Sequence, residues 1–275
     1  TMNPIVFYFA NGTTFFVGLA IVLVSEVLLI RFQKRFARSA LTLLVLLGMI
    51  LIVLSATPIS IFLYLVWGIS AGIGYFLIRR NQVTRSTKQI ACGFLAATTS
   101  LLCVLEVQYH LLETVLVPQG TTIYVLGDSI SAGINGKQKC WPEVLNDSTN
   151  FQVVNLAQAG AKVSQAINQA KEIPESKSLV IVEIGGNDLL GGTDAIAFQS
   201  KFETLIKTLA NQNHQILIFE MPLFPFQNSF GYAQRSTARR YNAAILPKRY
   251  FTKVLAMQNG TCKQRPENVA PSGEW

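Results

Sequence analysis

Four apolar stretches occupy most of the first 107 residues of this 275-residue chain, and nothing else in the sequence constrains its fold as strongly. They run Thr14–Ile30, Ala40–Leu54, Ile59–Ile78 and Ile90–Val107. Crossing ~30 Å of hydrocarbon takes about 20 helical residues, with a range of roughly 17–25. Three stretches satisfy this as they stand. The second does so if it continues to residue 56, with Thr57 and Pro58 marking its end. The predicted spans are therefore 14–30, 40–56, 59–78 and 90–107, within a transmembrane region covering residues 1–117. None has a polar face, which argues against helices of a soluble core. The stretch from Thr1 to Asn11 carries no Lys or Arg and three further spans follow the first, so a cleaved signal peptide is not expected.

Charge supports the same reading and sets an orientation. Only 14% of residues are charged, against about 25% in ordinary soluble domains. The net charge of +8 arises partly from two basic clusters, Arg31 to Arg38 and Arg79 to Lys88, separated by an uncharged connection from Ser55 to Ser60. Lys and Arg are retained on the cytoplasmic side. Both basic loops are therefore expected in the cytoplasm, and everything after Val107 outside a cytoplasmic (inner) membrane. The lipid bilayer is thus an expected partner. Nucleic acid is not, because topology accounts for the basic clusters. Glu26, inside the first span, reads either as a functional intramembrane acid or as one that pairs with Arg31 or snorkels toward the basic loop. Cys92 and Cys103 read as small packing residues of the fourth span. Cys140 and Cys262 fall in the outer domain, where a disulfide is chemically permitted and the sequence leaves their pairing open.

From residue 118 onward the pattern changes. Thr122–Leu126, Gln152–Leu156, Leu179–Ile184 and Gln215–Glu220 read as strands, and Lys137–Leu145, Val163–Ile173 and Ala195–Asn211 as amphipathic helices between them. Phe198, Phe202, Leu205, Ile206 and Leu209 recur at helical spacing in the last. Such alternation predicts an α/β domain, a parallel sheet covered by helices on both faces in three layers. In these sheets ligands bind beyond the carboxyl ends of the strands.

Three polar clusters sit at those ends. The first is Gly127-Asp128-Ser129, a serine placed to project its hydroxyl from the sheet edge, with Asp128 read as a buried turn-former. The second is Asn155-Leu156-Ala157-Gln158-Ala159-Gly160, where a glycine follows a strand and could expose its N–H. The third is Ile184-Gly185-Gly186-Asn187-Asp188, an amide side chain after a glycine pair. Each alone fits a turn better than a site.

In this order and spacing the three clusters resemble the first three blocks of the SGNH (GDSL-type) ester hydrolases, over about Thr122 to Ala256. Tyr241-Asn242 and the Leu246-Pro247-Lys248-Arg249 stretch look like the family's later region. The resemblance implies a serine esterase acting on an acyl or acetyl ester of a small molecule, lipid or saccharide. Ser129 would be the nucleophile, with the Gly160 N–H and the Asn187 amide forming an oxyanion hole. An O-acyltransferase modifying an envelope saccharide, or an inactive SGNH-like binding module, are the alternatives. No cofactor or metal is implied, because there is no His/Cys ligand cluster and no phosphate-binding glycine loop.

The family's C-terminal Asp-x-x-His is not matched. Aligning Pro271 and Gly273 puts Arg265 at the Asp and Asn268 at the His, and neither can act as a base. The chain has two histidines. His110 precedes the outer domain, and His214 precedes a strand, at the wrong end of the sheet. The expectation is a domain spanning residues 118–275 whose C-terminus is altered or incomplete.

Overall fold

A computed structural model describes residues 4–32, 34–80, 82–133 and 139–257. The chain divides into two compact units, one running to Leu111 together with Leu223–Asn228, the other comprising Leu112–Pro222 and the residues from Ser229 onward.

The first unit is helical: α1 Pro4–Ala10, α2 Thr13–Arg31, α3 Arg35–Leu54, α4 Ile61–Arg79, α5 Arg85–Val107 and a 3-10 turn Gln108–His110. α2 to α5 are each long and apolar enough to cross a membrane, with mean hydropathy of 2.0 or more over their best windows. The second span gains its length differently from the sequence expectation. It begins at Arg35 and ends at Leu54, short of residue 56, because Ala56 turns into the left-handed region at φ 47° just ahead of Pro58. α2 and α3 approach closely enough that a Cβ on Gly18 would lie 2.7 Å from the Gly48 carbonyl oxygen. Phe15, Leu19, Val22, Ile52, Trp67, Ala71, Leu95 and Leu102 form one buried cluster, and Leu29, Leu41, Val45, Ile78 and Cys92 a second. Cys103 packs against the first cluster, so both span cysteines serve as packing groups. The Trp67 indole finds its acceptor across helices at Thr99 Oγ1, 3.0 Å away. The outer face remains apolar, with Leu43, Ile61, Ile69 and Ile90 exposed, the distribution expected of helices solvated by lipid rather than water. Glu26 does not pair with Arg31. It is fully buried, both its oxygens lack a hydrogen-bond partner, and it lies against Gly74 of α4.

The second unit is α/β. Its elements are β1 Ile123–Gly127, α6 Ser129–Ala132, α7 Trp141–Ser148, β2 Val153–Asn155, α8 Val163–Ala170, β3 Leu179–Glu183, α9 Gly186–Leu190, α10 Ala195–Asn211, β4 Gln215–Phe219, α11 Asn228–Arg240, β5 Ala244–Leu246 and α12 Lys248–Met257. The strands form one sheet in the order β2-β1-β3-β4-β5, every pair parallel. The alternation of strand and helix seen in the sequence therefore yields the expected parallel sheet, with helices on both faces. β5, α11 and α12 were not legible in the sequence.

Residue alternation along the strands divides the core into two layers. Ile123, Val125, Leu179 and Ile181 pack with Trp141 and Leu145 of α7 and with Phe219 on one face. The helices α8 and α10 cover the other, where Phe198, Phe202, Leu205, Ile206 and Leu209 are all fully buried. Burial of each such side chain contributes about 1.5–3 kcal/mol, which holds α10 on the sheet. β3, central and apolar at its first four positions, is buried along its whole length, Glu183 included.

Candidate active site

Three loops at the carboxyl ends of β1, β2 and β3 carry the residues of interest. After β1 the chain enters α6, and Asp128 caps that helix by accepting from the Ile130 N–H through Oδ1 at 2.9 Å. This is the buried turn-forming role expected of it, and an N-cap of this type is worth about 1 kcal/mol. Ser129, the first residue of α6, is half-buried.

β2 is short, but its backbone ladder to β1 continues past its end: Leu156 N–H donates to Val125 O at 2.9 Å and Gln158 N–H to Gly127 O at 3.1 Å. Asn155 ties this loop to α6 by donating from Nδ2 to the Ser131 carbonyl at 2.9 Å. Gly160 follows in the turn at φ 76°, exposed, with nothing within 4 Å of where a Cβ would stand. Glycine is required there by backbone conformation and not by space.

Gly185, at φ 116°, turns the chain from β3 into α9, where a Cβ would meet Met221 Sδ at 2.7 Å. That turn delivers Asn187. Its Nδ2 donates to the Ala161 carbonyl at 2.9 Å and to Asp128 Oδ2 at 3.3 Å. The neighbouring Asp188, buried, accepts from the Val163 N–H at 2.9 Å and so fastens the start of α8. Burial pushes the Asp188 carboxyl above its ordinary range, while the Val163 N–H and the charges of Lys162 and Lys201 oppose that rise. Asn187 thus bonds to the residue before Ser129 and to the residue after Gly160, and the three loops are joined through one amide.

Behind them lies a buried polar cluster that sequence reading did not anticipate. Glu183, at the end of β3, accepts from Ser131 Oγ at 2.7 Å, and Ser131 Oγ in turn accepts from Trp141 Nε1 at 3.0 Å. Burial pushes the Glu183 carboxyl up to about 8, with the negative charge of Asp128 adding to the rise. Burial likewise raises Asp128. The signal available in the sequence was a single acid closing an otherwise apolar strand, Leu179-Val180-Ile181-Val182-Glu183.

Within this unit the histidine, His214, lies apart from the group. His214 precedes β4, at the amino end of the sheet, with Nδ1 2.8 Å from Ser178 Oγ, and burial holds its pKa below the usual value. His110 belongs to the helical unit, 3.4 Å from Glu106 and edge-on to Phe16. Arg265 and Asn268 lie outside the described residues, as does Cys262, on which the pairing with Cys140 depended. Among the described residues there is no group of His, Cys, Asp and Glu that could hold a metal ion.

Residues 125–247 match the GDSL-like Lipase/Acylhydrolase family. The C-terminal domain is a GDSL/SGNH hydrolase domain. The hydrolase domain is also similar to the thioesterase 1/protease 1/lysophospholipase L1 of Escherichia coli strain K12. The two are 28% identical over 135 residues, which cover 46% of this chain and 60% of that protein. The chain therefore spans about three-fifths of the length of that relative. Among solved structures, the SGNH-hydrolase family esterase AlinE4 is 23% identical over 57% of this chain and 89% of that one, with a TM-score of 0.45. The corresponding values for TesA are 20%, 55%, 89% and 0.43.

Proposed function

We propose that this chain is a membrane-anchored serine ester hydrolase that cleaves an acyl or acetyl ester outside the cytoplasmic membrane. The observation that carries the reading is the Asn187 amide, which bonds at once beside Ser129 and beside Gly160. In the proposed reaction Ser129 Oγ attacks the ester carbonyl carbon, and its proton passes to a base supplied from outside the described residues. Charge collects on the carbonyl oxygen, where the Asn187 amide, the Gly160 N–H and the Ser129 N–H act as donors. Collapse expels the alcohol and leaves an acyl-serine, which water then hydrolyses. For Asn187 the 3.3 Å bond to Asp128 is the longer of its two and is the one an oxyanion would share.

The four apolar helices support anchoring in the bilayer, and the two basic loops support an extracytoplasmic hydrolase domain. The substrate is accordingly an ester-bearing lipid, saccharide or small molecule of the envelope. A second reading, an inactive binding module, draws support from the placement of His214 at the amino end of the sheet, away from Ser129. A fluorophosphonate probe tests both, because it reports nucleophile activation without requiring turnover. The proposal predicts that the full chain in detergent micelles is labelled and Ser129→Ala is not. Equal failure of both proteins to label favours the binding module.

A further inference from the structure

Parallel pairing places Gly127 of β1 opposite Glu183 of β3, so Asp128 and Glu183 emerge side by side at the carboxyl edge of the sheet. Both are buried, at 3% and 4% exposure. Ser131 Oγ donates to Glu183 Oε2 at 2.7 Å and Asn187 Nδ2 to Asp128 Oδ2 at 3.3 Å, so the two carboxyl groups lie in one buried polar cluster. Two buried acids at the ends of paired strands, with no cation beside them among the described residues, retain a proton, since like charges in a buried site cannot both ionise at low cost. We propose that Asp128 and Glu183 share one proton, and that Glu183 is thereby a positioning residue that holds Asp128, and through it Ser129 and Asn187, in working geometry. The assignment to catalysis rests on the reading of Ser129 as nucleophile. The shared proton does not.

Among the described residues, the surroundings of the pair offer no other source of compensation. Asp188, on α9, is directed to the Val163 N–H and attended by Lys162 and Lys201. Glu220, beyond β4, is paired with Arg235 at 2.6 Å. From α7 the group that reaches the cluster is the neutral indole of Trp141. Among the described residues, Asp128 is the charged group that acts on Glu183, and no Lys, Arg or His neutralises either member. The donors are arranged for a single negative charge. Trp141 gives its proton to Ser131, Ser131 gives its own to Glu183, Ile130 caps Asp128 Oδ1, and Asn187 donates to Asp128 Oδ2. Ser131 packs against Gly127, its Oγ 2.7 Å from where a Cβ on that glycine would stand, so the approach requires glycine there.

The consequence is an alkaline limit. With Glu183 raised to about 8, the pair carries one negative charge at neutral pH and two above that value. The O–H bond that breaks releases its proton to solvent water, and the two carboxylates then repel. Asp128 is the member that can carry this strain into the site, because it caps α6 and holds the Asn187 amide.

The test uses the full chain in detergent micelles and follows Trp141 emission from about pH 5 to about pH 10, Trp141→Phe identifying the signal. Wild type and Ser129→Ala are expected to titrate alike with a midpoint of about 8. Glu183→Gln, which keeps an acceptor for Ser131 and removes the charge, is expected to show no transition. Ser131→Ala, a second variant in case Glu183→Gln does not fold, removes a donor to the carboxylate and is expected to move the midpoint upward. In parallel, the rate of fluorophosphonate labelling should fall through the same midpoint in wild type and stay level in Glu183→Gln. A flat Trp141 signal in wild type, a transition that survives Glu183→Gln, or an unmoved midpoint in Ser131→Ala overturns the shared proton. Absence of labelling at every pH, with the Trp141 titration intact, refutes the nucleophile reading instead.

Discussion

Asn187 Nδ2 donates to the Ala161 carbonyl oxygen at 2.9 Å, across 26 residues of sequence, and this bond fastens the loop after β3 to the turn that contains Gly160. The same amide reaches Asp128, 59 residues away, at the start of α6. Asn187 therefore has two separable tasks, joining the loops and donating to a developing oxyanion, and its variants are expected to divide them. Asn187→Ala should lower kcat on a nitrophenyl ester by about 10²–10³. The loss should appear mainly in kcat, with little change in KM, because the oxyanion forms only in the transition state. Kinetics on purified Asn187→Ala check this, and a change confined to KM would contradict it.

His214 has a structural role at the far end of the sheet. Its Nδ1 bonds with Ser178 Oγ, and burial holds its pKa below the ordinary 6.5. A histidine with a depressed folded pKa contributes stability that is present above its unfolded pKa and is lost as pH falls below it. Melting temperature should therefore decline below about pH 6.5 more steeply in wild type than in His214→Gln. Labelling of Ser129 should be unchanged in that variant. Loss of labelling would place the general base where the geometry does not.

Arg235 and Glu220 form a buried ion pair at 2.6 Å, with 4% and 0% side-chain exposure. Glu220 also accepts from the Lys248 N–H at 3.1 Å, so the pair ties α11 to the start of α12. Removing one partner of such a pair leaves a buried charge uncompensated, at a cost of about 3–5 kcal/mol. Arg235→Ala should lose stability on that scale in urea unfolding, while Arg235→Ala with Glu220→Leu recovers part of it. Independent, additive losses would show that the pair does not act as a unit.

The basic loops predict which side of the membrane the hydrolase domain occupies. An alkaline phosphatase fusion after Gly120 should be active in cells, and a fluorescent protein fused at the same place dark. The opposite pattern would put Ser129 in the cytoplasm and withdraw envelope esters as substrates.

The sequence by itself determined the four apolar helices and the strand-helix alternation of the hydrolase domain. Both are sums over neighbouring residues: contiguous apolar length in one case, residue period in the other. α10 was legible to the residue because five large apolar side chains mark its buried face and Asp194 caps it. Placing Ser129, Gly160 and Asn187 after strands also needed only local pattern.

Other features had no local signature. α11 buries Gln234, Arg235 and Thr237, so it lacks the apolar stripe that would have announced it. Arg235 is tolerated there because Glu220, 15 residues earlier, meets it through the fold. The proton on the Asp128–Glu183 pair is of the same kind. A carboxyl group in a sequence is an anion at neutral pH. It becomes a partly protonated hydrogen-bonding group when parallel pairing sets a second carboxyl beside it and the sheet and its helices exclude water from both. Only the tertiary structure supplies both conditions, because each depends on strands that are adjacent in space and distant in the chain.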